Sequence, residues 1–407
     1  MSLVTQKLHC RSCNSSLIPI LHLGDQQITG WVDDPKTKLL EAPLSLVLCS
    51  NPVCSLVQLE HTVDADTLWR KADYGYRSGI SSTMVRALDD ITTKAQLKVN
   101  LEDHDVVVDI GANDGTLLDT YSSNCVKVAY EPIAKFRTCI AKASDYPISD
   151  YFSASLYPSD IPDAKIVTAA AMMYDLDDPH PFVAGVRDIL ADDGIFVIQL
   201  SYLPLMLLQN DFLNVTAEHI EYYSIQSLEY LLNQHGLFAF DAEINDINGG
   251  SLRLYVDKGA RSQSFMLYSL REWEKCLLLD TTEPYDAFHD RIQAIKDKLT
   301  RAVRYNSSIG KSVYGYAAST KGNVLLQFCE FNQKDIVAIA ERNPEKWNKF
   351  TAGSGIPIIS EDEMREADPD FLLVLAWAFM DEFRHREKTW HDNGGQWIIP
   401  LPEVRLE

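Results

Sequence analysis

Two sets of residues have the types and spacing to do chemistry. Cys10-Arg11-Ser12-Cys13 is a C-x-x-C turn, and Cys49-Ser50-Asn51-Pro52-Val53-Cys54 is a C-x-x-x-x-C turn. Two such knuckles can close a tetrahedral thiolate site around one zinc ion. With sulfur at all four corners no position is left for a substrate, so the metal is expected to be structural. It would staple an amino-terminal segment of about 65 residues that has little core of its own. The second set is Asp109-Ile110-Gly111-Ala112-Asn113-Asp114-Gly115, preceded by Val106-Val107-Val108 and followed by Thr116-Leu117-Leu118. It reads as a buried parallel strand, a glycine turn and the start of a helix. Gly111 and Gly115 tolerate positive φ and let a ligand lie against bare backbone. The next strand, Val126 to Tyr130, ends in Glu131. An acid there can accept both hydroxyls of a ribose.

These residues need a sheet to position them. A third strand is expected over Lys165 to Met173, leading into Tyr174-Asp175, and a fourth over Gly194 to Leu200. Ser224 is placed to cap a helix closed by Gly236. Phe238 to Phe240 and Gly249 to Val256 read as closing strands. Alternating strands and helices imply an α/β fold with a mainly parallel, doubly wound sheet. Phe288, Ile292, Ile295, Leu299 and Val303 recur at helical spacing, which predicts a linking helix over Pro284 to Asn306. A second α/β unit follows: a strand and small-residue turn at Ser312 to Asn323, then strands at Ile336 to Ala340, Phe371 to Trp377 and Trp397 to Pro400. Two such turns could serve two nucleotide-like ligands.

The chain has 407 residues, enough for two or three domains, and a formal net charge of −21. Nucleic acid is therefore not an expected partner, because phosphate binding needs a basic footprint. No apolar run long enough to span a membrane occurs, and Met1 to Lys7 lacks the apolar core of a signal peptide. A cytoplasmic protein, monomeric or a small homo-oligomer, is expected. Cys125, Cys139, Cys276 and Cys329 are isolated and expected to be buried small hydrophobes.

A dinucleotide fold would want G-x-G-x-x-G at the glycine turn. The form D-I-G-x-N-D-G-T-L-L instead resembles the first motif of class I S-adenosylmethionine methyltransferases. That resemblance implies a Rossmann-like sheet. It also implies that Asp109, Gly111, Asn113, Asp114, Gly115 and Glu131 hold the methyl donor, with Asn113 and Asp114 near its amino-acid portion.

Nearly the whole chain resembles the sugar C-methyltransferases that act on nucleotide-linked keto-deoxyhexoses. The matching pieces are the cysteine knuckles, Tyr74-Gly75-Tyr76-Arg77-Ser78-Gly79, the glycine turn and Glu218-His219-Ile220-Glu221-Tyr222-Tyr223-Ser224. Gly249-Gly250-Ser251-Leu252-Arg253, Tyr314 to Asn323, and Arg342-Asn343-Pro344 match as well. The resemblance implies a zinc-binding domain over residues 1–66 and a methyltransferase domain over 67–260. It also implies a second Rossmann-like domain over 261–407 that helps to hold a nucleotide sugar. The family places a catalytic histidine in an H-E-H segment; here the segment is Ala217-Glu218-His219, which keeps the second histidine. Asp175 stands where the family tends to have another histidine. The implied chemistry is removal of a proton beside a 4-keto group, followed by methylation of that carbon. His219 is the expected base, Glu218 its orienting partner, and Tyr76 and Tyr222 donors to the enolate. The alternatives are O-methylation, with Asp175 or His219 deprotonating a hydroxyl, and a sugar-nucleotide-binding protein with a decayed site.

Overall fold

A computed structural model describes residues 3–28, 30–70, 76–122, 124–259 and 261–407. Tyr74 and Gly75, of the matching segment Tyr74 to Gly79, lie outside them. The β-branched run Val106–Ile110 is buried along its whole length and forms the centre of a seven-stranded sheet. Its side chains alternate between two cores: Val106, Val108 and Ile110 enter one, and Val107 enters the other. Such two-sided burial is why the run is apolar at every position except Asp109.

Across this sheet the strands lie in the order Phe238–Asn245, Ser251–Asp257, Leu190–Ser201, Ala164–Ala170, Val106–Ile110, Val126–Tyr130, Tyr146–Ile148. Ser251–Asp257 is the reversed strand, antiparallel to both neighbours. From Val106–Ile110 the chain winds outward through Val126–Tyr130 and Tyr146–Ile148. It then returns to the other side with Ala164–Ala170. The crossover point, at the carboxyl ends of Val106–Ile110 and Ala164–Ala170, is where open α/β sheets hold ligands. The third strand stops at Ala170 rather than Met173. Ala171 turns left-handed at φ 55°, and Met173–Asp175 form a short 3-10 turn.

The amino-terminal sheet has the order Glu221–Tyr222, Val57–Leu59, Glu41–Cys49, Leu17–Gln27, with antiparallel neighbours. Its longest strand, Leu17–Gln27, has no clean alternation, because its register shifts twice against Glu41–Cys49. Its edge strand, Glu221–Tyr222, comes from the middle of the chain. The carboxyl-terminal sheet is Ile358–Ser360, Ile339–Glu341, Val313–Tyr316, Phe371–Val374, Gln396–Ile399, Arg405–Leu406, parallel except for the last. Ile358–Ser360 and Arg405–Leu406 are too short to show periodicity in the sequence. Trp31–Val32 pairs with Phe350–Thr351, which joins the first sheet's region to the last.

One core serves the amino-terminal and carboxyl-terminal sheets, while the seven-stranded sheet lies between two others. Leu21, Leu44 and Leu46 share a cluster with Phe212, Leu325 and Ile398. The linking helix, Glu283–Ser308, contributes Phe288, Ile292, Ile295, Leu299 and Val303 to it, all buried as the helical spacing predicts. Cys276 is exposed, contrary to expectation, because the helix Phe265–Cys276 turns it outward. Among the described residues no helix is long and apolar enough to cross a membrane.

Ile292 is fully buried in the shared core. Ile292→Ala is expected to cost about 2–5 kcal/mol. Chemical denaturation should show this as an earlier transition for the whole chain rather than for its carboxyl-terminal part alone.

Candidate active site

The four knuckle sulfurs converge. Cys13 Sγ lies 3.3 Å from Cys49 Sγ, Cys10 Sγ 3.7 Å from Cys54 Sγ, and all four fall within 4.8 Å of one another. Zn–S bonds of about 2.3 Å at tetrahedral angles put sulfurs about 3.8 Å apart, so the set fits zinc. The knuckle also anchors its neighbours. Arg11, between its first two cysteines, donates to Leu59 O at 2.7 Å, Thr62 Oγ1 at 2.5 Å and Asp177 Oδ1 at 3.4 Å. Lys7 reaches Asp177 at 2.6 Å, and His180 Nε2 donates to Ser12 O at 3.0 Å. The loop after strand Ala164–Ala170 is thereby tied to the metal site.

At the glycine turn, Gly111 has φ +77° and Asn113 φ 52°. The Asn113 and Ile133 amides each donate to Glu131 at 2.8 Å, one to each carboxylate oxygen. Burial pushes the Glu131 carboxyl up to about 7. Asp109 is buried and accepts the Thr168 hydroxyl at 2.6 Å. Burial and the nearby Glu131 raise it to about 7 against that bond. Asp109 thus braces neighbouring strands beneath the turn. Gly115 has a packing reason: a Cβ there would stand 2.4 Å from Ala143 Cβ. The loop carrying Tyr76 docks on the turn, Ser78 N donating to Asn113 Oδ1 and Gly79 N to Asp114 Oδ2, each at 3.0 Å. Tyr76 itself is 44% exposed.

The turn adjoins the second group of expected residues. A Cβ on Gly111 would stand 3.1 Å from Met172 Cγ, and Met172 begins the turn that carries Tyr174 and Asp175. Tyr174 O accepts Ile220 N at 2.9 Å, and the Tyr174 ring lies 4.3 Å from that of His219. His219 Nδ1 is 3.2 Å from Asn214 O. A carbonyl can only accept, so Nδ1 carries the hydrogen and Nε2 keeps its lone pair. Crowding around the ring, helped by the Lys321 charge, pushes the imidazole down to about 3. His219 is therefore neutral throughout the working pH range.

The acids beside it behave oppositely. Burial raises Glu218. Burial, with the Glu218 and Glu221 charges, raises Asp175 well above the carboxylate range. Burial takes Glu221 to about 8 against the bond from Tyr223 OH at 2.6 Å. Asp175 Oδ1 is buried without a partner. Tyr222, expected to donate to a substrate, is 4% exposed and directs its hydroxyl to the main-chain oxygens of His219 at 2.7 Å and Asn214 at 3.3 Å. It holds the histidine loop in shape.

Two residues that the sequence did not single out, Asp211 and Lys321, complete this side. Asp211 accepts Asn214 Nδ2 at 2.6 Å and Trp377 Nε1 at 3.3 Å. Lys321, from the turn of the last α/β unit, reaches Asn248 O at 3.4 Å. Asp211 and Trp377, like Lys321 and Asn248, lie far apart in the chain, so no spacing announces these pairs.

Three family models match the chain in order. They are a zinc binding domain over residues 10–69, a methyltransferase domain over 80–239 and a C-methyltransferase C-terminal domain over 246–402. C-methyltransferase NovU from Streptomyces niveus is 27% identical over 410 residues, which covers 98% of this chain and 96% of that protein. An S-adenosylmethionine-dependent methyltransferase from Clostridium acetobutylicum aligns with a TM-score of 0.35 at 12% identity, over 43% of this chain and 92% of that one. Magnesium protoporphyrin IX methyltransferase from Synechocystis aligns with a TM-score of 0.34 at 11% identity, over 45% of this chain and 90% of that one.

Cys49→Ser is expected to abolish stoichiometric zinc in elemental analysis and to open the amino-terminal segment to protease. Calorimetric affinity for S-adenosylmethionine should stay within error. The donor should also report on Glu131. Ribose hydroxyls are expected to bind the ionised carboxylate, which burial pushes up to about 7. Affinity should therefore rise with pH through 7 and fall by up to about tenfold per unit below it. Glu131→Ala should remove that pH dependence and weaken binding about ten- to a hundred-fold, the worth of a charge-assisted hydrogen bond.

Proposed function

The chain belongs to the C-methyltransferases built from a zinc-binding, a methyltransferase and a C-methyltransferase carboxyl-terminal domain, and we propose that its acceptor is carbon 3 of a nucleotide-linked 4-keto-deoxysugar. The observation that carries this reading is the state of His219. Its Nδ1–H is held by Asn214 O, and its Nε2 lone pair is left for a proton. A carbon acceptor needs such a base, because a C–H bond beside a ketone must open before the carbon can become nucleophilic.

S-adenosylmethionine, when bound, supplies an electrophilic methyl group on sulfonium sulfur. The chain's own residues bind, orient and move one proton. Glu131 takes the ribose hydroxyls, and the backbone at Gly111 admits the ligand closely. Asn113 and Asp114 face the amino-acid portion and hold the Tyr76 loop in place. Tyr76 offers a phenolic hydrogen at the mouth of the turn. His219 Nε2 takes the proton from the acceptor carbon, and Tyr222 and Asn214 keep the ring in register. Glu218 and Asp175, raised by burial, stand beside it as protonatable groups. The last α/β unit supports a nucleotide-bearing acceptor. Its helix Thr320–Phe328 begins at a strand end, and Ser319 caps it by accepting Gly322 N. A helix start of this kind suits a phosphate.

His219→Asn keeps the Nδ-type donor to Asn214 O and removes the lone pair. Turnover should fall about 10²–10⁴-fold while donor affinity stays unchanged. Full activity in this variant, with loss in Asp175→Asn, would move the base to the aspartate.

A further inference from the structure

We propose that Lys321 is a catalytic residue of the carbon-methylation site, its ammonium donating to the acceptor's carbonyl oxygen as negative charge develops there. The inference rests on the acceptor reading above. Lys321 sits in the first turn of helix Thr320–Phe328, which belongs to the carboxyl-terminal unit, yet its nitrogen reaches across to Asn248 O of the methyltransferase unit at 3.4 Å. Among the described residues no carboxylate lies within ion-pair distance of it. The acid that shares this corner, Asp211, already accepts Asn214 Nδ2 at 2.6 Å and Trp377 Nε1 at 3.3 Å. An ammonium has three donors, and one long contact to a carbonyl leaves it under-satisfied in a partly buried position. Two residues on, Asn323 is buried with both amide atoms unpartnered, so this turn holds more polar capacity than the protein itself uses.

A chain of contacts links Lys321 to His219: Asn248, which the lysine reaches, precedes Gly249, where a Cβ would stand 3.1 Å from Asp211 Oδ2, and Asp211 holds Asn214, whose carbonyl accepts from His219. Desolvation lowers the Lys321 ammonium, and the Asp211 charge only partly offsets it. The lysine's charge in turn lowers the proton affinity of His219. A cation that weakens the base is a liability unless it acidifies the substrate by more. It does so when it touches the oxygen on which the enolate charge settles. The step balances without another reagent. The C–H bond beside the ketone breaks, its proton goes to His219 Nε2, and the electron pair passes through the new carbon–carbon double bond to the carbonyl oxygen. Lys321 keeps its own proton and donates a hydrogen bond to that oxygen.

The test uses the full-length protein with thymidine-diphospho-4-keto-6-deoxyglucose as the probe sugar. Hydrogen–deuterium exchange at carbon 3 is followed without donor, and methylation is followed with it. Lys321→Met is expected to lower both rates about 10²–10³-fold with little change in KM, the loss typical of one oxyanion donor. Lys321→Arg should recover part of both rates. Melting temperature and S-adenosylmethionine affinity should match the wild type in both variants. Wild-type exchange in Lys321→Met overturns the assignment and leaves the acceptor reading standing. A raised KM with unchanged kcat also overturns it, since the lysine would then hold the nucleotide's phosphates. No exchange or methylation by the wild-type protein overturns the acceptor reading, and this assignment with it.

Discussion

The backbone pairing of Glu221–Tyr222 with Val57–Leu59 is the constraint on which the site depends. A two-residue strand has no stability of its own. It forms because the amino-terminal sheet has an open edge, and Leu59 N extends the ladder by donating to Ile220 O at 2.8 Å. The same sheet holds the metal knuckle through Cys49, the last residue of Glu41–Cys49. Arg11, whose side chain is 1% exposed, fastens the knuckle to Leu59, Thr62 and Asp177. His219 therefore sits one hydrogen-bonded step from a cross-linked sheet, although it lies in a loop. A loop with few local bonds belongs to the least stable part of a fold. Borrowing a strand from another sheet gives it the rigidity that positioning a side chain requires.

The electrostatics follow from the same burial. The formal charge of −21 is a property of the whole chain, not of the cleft. Inside, desolvation drives Asp109, Glu131, Asp175, Glu218 and Glu221 toward their neutral forms. It also drives His219 toward its own neutral form. Among the described residues, the Arg11 and Lys321 charges act on this region. An acidic protein thus has a weakly charged region around His219.

The chain's separate units are coupled by packing. The amino-terminal segment shares its core with the linking helix and with the last α/β unit. The strand pair Trp31–Val32 and Phe350–Thr351 closes the connection. Lys346 adds to it by lying 4.9 Å over the Trp31 ring and donating to Ala318 O at 2.8 Å. The turn that carries Lys321 is therefore steadied by contacts that its unit makes to the amino-terminal segment.

What the sequence determined by itself is whatever rests on neighbours in the chain. The apolar run Val106–Ile110 with its glycine turn, the acid closing the next strand, the paired cysteines and the helical stripe from Phe288 to Val303 are local patterns. Backbone sterics and periodicity make them legible. Tertiary structure decided the rest. It directed Tyr222 to main-chain oxygens, made Asp109 a brace between strands, gave Gly115 a packing role and left Cys276 in solvent. It also brought Lys321 of one unit to Asn248 of another. Each of these depends on which remote group fills the space beside a side chain, and that is settled only when the sheets and helices pack together.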